Sequence, residues 1–309
     1  MVTTLPWLAS NCCPNPLVLP VEQLPFPDSP GVSPAVASDP PDPTPFSLED
    51  GVVRLRMGLA YDGTGFHGVT PQPGLRTVGG LVADALTRIL RQASPVHVVV
   101  AGRTDAGVHA WGQVLHADVR ARPGTLDLVR VRRSLDALVG DEISVRMLDV
   151  APAGFHARFS AQWRSYRFLL LNEPAADPML RGSTWHVADQ LDIDAMVLAC
   201  DPFIGEHDFT SFGRLQNGPE GRTASMRRLV LEARWLSHGQ PGHPGLMRFE
   251  IRATSFCQQM VRSIVGFMVE VGRGRRHGGE VLGLLAARHR VRTPLAPPGG
   301  LVLWEVGYG

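Results

Sequence analysis

The sequence predicts an α+β fold of two domains, each a mostly antiparallel sheet flanked by helices. Three observations carry this. The 309 residues, 44% of them hydrophobic, suffice for one large domain or two modest ones. Apolar residues recur at the strand period in some segments and at the helix period in others. The first half runs β-α-β-β-α-β, with neighbouring strands joined as hairpins.

Residues 1–50 stand apart. They hold 12 of the 26 prolines, six acidic residues and no basic one. Runs such as Asp39-Pro40-Pro41-Asp42-Pro43-Thr44-Pro45 neither pair as strands nor wind as helices, so a disordered acidic extension, dispensable for activity, is expected. From residue 53 the chain reads as globular. Leu55, Met57, Leu59 and Tyr61 alternate with Arg54, Arg56 and Gly58, a half-buried strand. Val78, Leu81, Val82, Ala85, Leu86, Ile89 and Leu90 share one helical face. Strands follow at 96–100 and 113–119, a helix near 126–138 and a strand at 143–150, closing an expected N-terminal domain of 51–150. The expected C-terminal domain, 151–309, has strands at 164–171, 229–235, 247–253 and 301–306. Its helices are near 192–199, 256–272 and 279–288.

Composition excludes several function classes. No apolar run approaches the ~18 residues of a membrane span, and the N-terminus lacks the basic start of a secretory signal. Cys12, Cys13, Cys200 and Cys257 form no CxxC pair, which argues against a zinc site or disulfide framework and favours the cytoplasm. The formal net charge is +1, yet residues 51–309 carry all 30 basic residues against 23 acids. All 30 are arginine. Coding bias explains that simply; a surface that reads phosphate by bidentate contact is the alternative.

Two glycine-rich segments draw attention. Gly63-Thr64-Gly65-Phe66-His67-Gly68 matches GxGxxG, but Pro71, Pro73 and Gly74 follow where a dinucleotide-binding helix would begin, so a simple turn is expected. Gly102-Arg103-Thr104-Asp105-Ala106-Gly107-Val108-His109 follows a strand as a polar loop. Positions i and i+2 of an extended loop point the same way, so Arg103 and Asp105 are expected to face one pocket. A neighbouring guanidinium would keep Asp105 ionised, suiting a nucleophile or electrostatic stabiliser and not a general acid. An Arg–Asp pair that merely pins a turn fits the same residues.

The octet 102–109 resembles the active-site signature of tRNA pseudouridine synthases of the TruA type. So do, in the family's order, Tyr61 to Gly68, Phe155-His156-Ala157-Arg158-Phe159-Ser160, Arg164-Ser165-Tyr166-Arg167-Phe168, Asp208 to Phe212, Arg222-Thr223, Phe256 to Gly266, and Ala296 to Leu301. The resemblance spans about 53–308. It implies a pseudouridine synthase-like fold with the active site in a cleft between the two domains. It also implies isomerisation of uridine at tRNA nucleotides 38–40, no cofactor or metal, and a homodimer.

By the same resemblance Asp105 is the catalytic residue, leaving open whether it attacks C1′ or C6 or takes a ribose proton. Arg103 pairs with it and fills the space left by the flipped base. Tyr166 stacks on the target base, Arg262 meets the carboxylate or a phosphate, and Leu301 packs on the uracil. From the residues alone, Arg164, Tyr166 and Phe168 share a strand face suited to stacking bases. Arg130, Arg132, Arg133, Arg227, Arg228 and the clusters 273–276 and 288–292 are candidates for a phosphate-binding surface. The chain departs from the family at Val69-Thr70, commonly Trp-Gln, and at Gly79, commonly Gln. A synthase for another RNA and a non-catalytic RNA-binding protein on the same scaffold are the alternatives.

Overall fold

The computed structural model describes residues 51–122, 124–215, 225–287 and 294–309. The expected extension 1–50, Arg222-Thr223 and the cluster 288–292 lie outside these residues. Ten strands form one sheet, in the order β4-β1-β3-β10-β5-β9-β8-β7, with β2 on β3 and β6 on β5. In chain order these are β1 Val52–Tyr61, β2 Val98–Val100, β3 His109–Arg120, β4 Ile143–Val150, β5 Ala161–Leu171, β6 Trp185–His186, β7 Gly205–Asp208, β8 Arg227–Ser237, β9 Leu246–Ala253 and β10 Leu301–Tyr308. The helices are α1 Val78–Ile89, α2 Leu128–Val139, α3 Ile193–Leu198, α4 Met260–Gly272 and α5 Glu280–Ala287. The α+β class holds, and no described helix is long and apolar enough to cross a membrane.

Every named pairing is antiparallel except β3–β10 and β5–β6. The β3–β10 seam is short, Val302 opposite His109 and Leu303 opposite Ala110. It makes one sheet of strands from both halves of the chain. The boundary expected at 150/151 falls between β4 and β5, which β1, β3 and β10 separate within that sheet.

Strand alternation divides the sheet into two chemically distinct faces. Leu55, Met57 and Leu59 of β1 are buried in one core with Val78, Val82 and Leu86 of α1 and Leu135 of α2. Phe168, Phe249 and Ile251 belong to the same core, as do Ile264, Phe267 and Met268 of α4. Burying such side chains contributes roughly 1.5–3 kcal/mol each. On the alternate positions, direct cross-strand neighbours are ion pairs: Arg54–Asp118 at 2.7 Å, Arg56–Asp149 at 2.7 Å and Arg252–Glu232 at 3.2 Å. Glu250 takes Arg167, Arg234 and Arg248 at 2.8, 2.8 and 3.0 Å.

Element ends follow local chemistry. Thr77, Asp127 and Asp192 cap α1, α2 and α3 through side-chain oxygens. The helix expected from 256 begins instead at Met260, because Gln259 takes the left-handed conformation with φ +64°. Phe256 therefore leaves the helix and packs edge-on against Tyr166, ring centroids 5.0 Å apart.

Candidate active site around Asp105

The octet 102–109 forms the loop between β2 and β3, held from below by the glycine-rich turn after β1. A Cβ on Gly63 would stand 2.0 Å from the Val108 carbonyl oxygen. One on Gly68, where φ is +91°, would stand 2.7 Å from that of Thr104. Gly63 and Gly68 therefore admit another stretch of backbone, with no phosphate required to explain them. His109, the last residue of the octet, bonds back to this turn. Its Nδ1 lies 3.1 Å from both the Gly63 nitrogen and Asp62 Oδ1, and its Nε2 3.1 Å from Gly182 O.

Asp105 faces α4. Its Oδ1 accepts from Gln258 Nε2 at 3.5 Å, and Arg262 Nη1 lies 3.6 Å from its Oδ2. Arg262 is anchored by an Nε donation to Ala296 O at 2.7 Å. The Asp105 side chain is 29% exposed and that of Arg262 12%, so the carboxylate is reachable while its cation is held from behind. Both contacts to Asp105 are longer than a tight hydrogen bond, leaving its lone pairs open to an incoming group. Burial lowers the pKa of Arg262, and Asp105 opposes that shift.

Tyr166 borders the same place. It is buried on β5, beside Leu303 of β10 and Ile251 of β9. Burial raises its hydroxyl pKa, with smaller contributions from Tyr61 and Asp105 in the same direction. Leu301 is buried at the start of β10 opposite Phe168, within the core.

Arg103 differs from expectation. It is exposed and makes no hydrogen bond or ion pair with a described residue; Asp105 takes its cation from α4 instead. The stacking surface expected from Arg164, Tyr166 and Phe168 is also corrected. Phe168 is fully buried. Arg164, 8% exposed, spends its donors on main-chain carbonyls: Ala101 at 3.1 and 3.3 Å, Ala161 at 3.1 Å, Thr254 at 2.8 Å and Arg158 at 2.5 Å. It ties the root of the Asp105 loop to the segments before β5 and after β9. Gln258 was not singled out from the sequence, although it lies within the motif 256–266 that carries the resemblance.

The arginine surface divides. Arg273 pairs with Asp189 and Glu270, Arg276 with Glu280 and Arg227 with Glu206, so these are neutralised locally. Arg130 and Arg133 have no carboxylate partner among the described residues. Arg130 lines a groove of about 790 Å³ between α1 and α2 together with Arg88 and Arg91. No group of three or more His, Cys, Asp or Glu side chains among the described residues could hold a metal ion.

Comparison with known proteins identifies the chain's relatives. A family model described as tRNA pseudouridine synthase matches residues 199–309. The chain is 37% identical over 280 residues to tRNA pseudouridine synthase A of Leifsonia xyli subsp. xyli, covering 84% of this chain and 93% of that protein. It is 38% identical over 265 residues to the protein of the same name from Streptomyces griseus subsp. griseus, covering 84% and 89%. The Geobacillus kaustophilus protein of that name is 38% identical over 257 residues, covering 82% and 94%. With identity of this extent over more than four fifths of its length, the chain belongs to the tRNA pseudouridine synthase family.

Proposed function

We propose that this protein isomerises uridine to pseudouridine at nucleotides 38–40 of the tRNA anticodon stem-loop, with Asp105 as the essential catalytic residue. The observation that carries the reading is the meeting of Asp105, Gln258 and Arg262, brought from far apart in the chain to one solvent-reachable carboxylate. In the reaction the N1–C1′ bond breaks and a C5–C1′ bond forms. The C5 proton is released and N1 gains one, so the balance needs no oxidant, reductant or energy source. The target base must leave the helix, at a cost of a few kcal/mol. In this reading Arg103 fills the gap, which fits its exposed side chain, unpaired among the described residues. Tyr166 and Leu301 then pack on the base, and Arg262 holds the carboxylate.

Tenancy of the tRNA body falls to arginines without carboxylate partners among the described residues, Arg88, Arg91, Arg130 and Arg133, since phosphate binding is mainly electrostatic. The protein works in the cytoplasm as a homodimer, its halves 51–150 and 151–309 flanking the bound stem-loop, and it needs neither cofactor nor metal. The test is incubation with an unmodified tRNA transcript carrying U38, U39 and U40, followed by chemical mapping of pseudouridine. Modification at those nucleotides, abolished in Asp105→Ala, is expected. Modification elsewhere would move the substrate, and salt-sensitive binding without modification would favour the non-catalytic alternative.

A further inference from the structure

The loop that carries Asp105 hangs from a buried polar chain that does not touch the carboxylate. Tyr61, Thr104 and Gln113 are 5%, 6% and 0% exposed, and the strand neighbours Leu59, Leu115 and Ala117 are buried with them. Gln113 grips Gly102 at both main-chain groups. Its Nε2 donates to Gly102 O at 2.7 Å and its Oε1 accepts the Gly102 N–H at 3.4 Å. The other Nε2 proton reaches the Tyr61 hydroxyl oxygen at 3.4 Å, and Tyr61 Oη lies 2.8 Å from Thr104 Oγ1. Either hydroxyl can donate in the Tyr61–Thr104 contact, so the three side chains form one continuous hydrogen-bonded chain.

Thr104 stands between Arg103 and Asp105. With its side chain drawn into the core and its carbonyl taken by Val69 N–H at 3.3 Å, its two neighbours are turned outward. Three buried polar side chains are costly unless each is satisfied, and apolar residues would fill the same space more simply.

We infer that Tyr61, Thr104 and Gln113 are positioning residues for the reaction: together they set the rotation of loop 102–107 that aims Asp105 at its substrate. This rests on the reading of Asp105 as the catalytic residue. The test compares Thr104→Val, Thr104→Ser, Tyr61→Phe and Asp105→Ala for single-turnover kcat, KM for tRNA and thermal unfolding. Thr104→Val and Tyr61→Phe are expected to lower kcat about ten-fold or more, the scale of one lost buried hydrogen bond. KM stays within about two-fold, because the groups act on aim and not on affinity. Thr104→Ser keeps the hydroxyl and recovers most of the rate, whereas a packing role would not be rescued by a smaller side chain. The double variant Thr104→Val with Tyr61→Phe is expected to lose little more than either alone.

Full kcat in folded Thr104→Val or Tyr61→Phe, with Asp105→Ala inactive, overturns the inference alone. Loss in Thr104→Val that Thr104→Ser does not recover also overturns it. An active Asp105→Ala removes the reading of Asp105 and the inference with it. Tyr61→Phe, which loses one oxygen and no volume, keeps the question answerable if Thr104→Val does not fold.

Discussion

Arg262 shows how narrowly one side chain can be specified. Its Nε is committed to Ala296 O while Nη1 faces Asp105, two duties on different nitrogens of one planar group. A lysine has a single ammonium and cannot serve both. Arg262→Lys is therefore expected to lower kcat/KM about 10- to 100-fold, the ~1.5–3 kcal/mol of a hydrogen bond to a charged group, with the fold retained. Steady-state kinetics on tRNA together with a melting curve would check this; activity within two-fold of the parent would show that charge alone is required. The octet made Asp105 legible in the sequence, whereas the i, i+2 argument, which put Arg103 and Asp105 in one pocket, rested on the loop alone. It erred on the partner. The cation that faces Asp105 is 157 residues away and arrives only when α4 packs behind the loop.

At the scale of elements, strand alternation identified Tyr166 and Phe168 correctly as neighbours on one face but not what covers that face. Arg164 looked like a surface cation because an arginine on a strand usually is one. The packed structure gives it carbonyls from three separate segments, and burial lowers its pKa. Replacing it by lysine leaves several of these carbonyls without a donor. Arg164→Lys is expected to destabilise the protein by about 3–5 kcal/mol, since each buried group left unsatisfied costs ~1–3 kcal/mol. Denaturant unfolding monitored by far-UV circular dichroism would read that loss, and an unchanged midpoint would show the carbonyls to be satisfied by water. The late start of α4 belongs to the same scale. Apolar periodicity reached back to Phe256, yet the left-handed Gln259 delays the helix start to Met260 and leaves Gln258 outside it to reach Asp105.

For the molecule as a whole, the three tyrosines give a collective readout. Tyr61, Tyr166 and Tyr308 are the only ones in the chain, and burial raises the pKa of each. Tyr61 is pushed up to about 12. A tyrosine raised above its unfolded value of about 10 is neutral in the fold, so its contribution is complete below pH ~10 and is lost as pH rises through the folded value. Absorbance at 295 nm is therefore expected to show little tyrosinate until pH exceeds ~11, appearing together with the loss of circular dichroism. A one-third step near the ordinary value would identify a tyrosine open to water. The arginines also sort at this scale. Arg54, Arg56 and Arg167 on the sheet meet a cross-strand carboxylate, whereas Arg88, Arg91 and Arg130, with no carboxylate partner among the described residues, line the α1–α2 groove.

The sequence by itself determined the α+β class, most strands and helices, the family, and the loop that bears Asp105. These depend on local periodicity and on short strings whose residues lie side by side in the chain. Only the tertiary structure decided that β10 would return beside β3 to make one sheet, that Arg262 and Gln258 would face Asp105, and that Arg164 and Gln113 would be buried clamps. Each of these depends on a contact between segments dozens to hundreds of residues apart. A polar side chain's partner is set by what packing brings within about 3 Å, a distance that no spacing along the chain records.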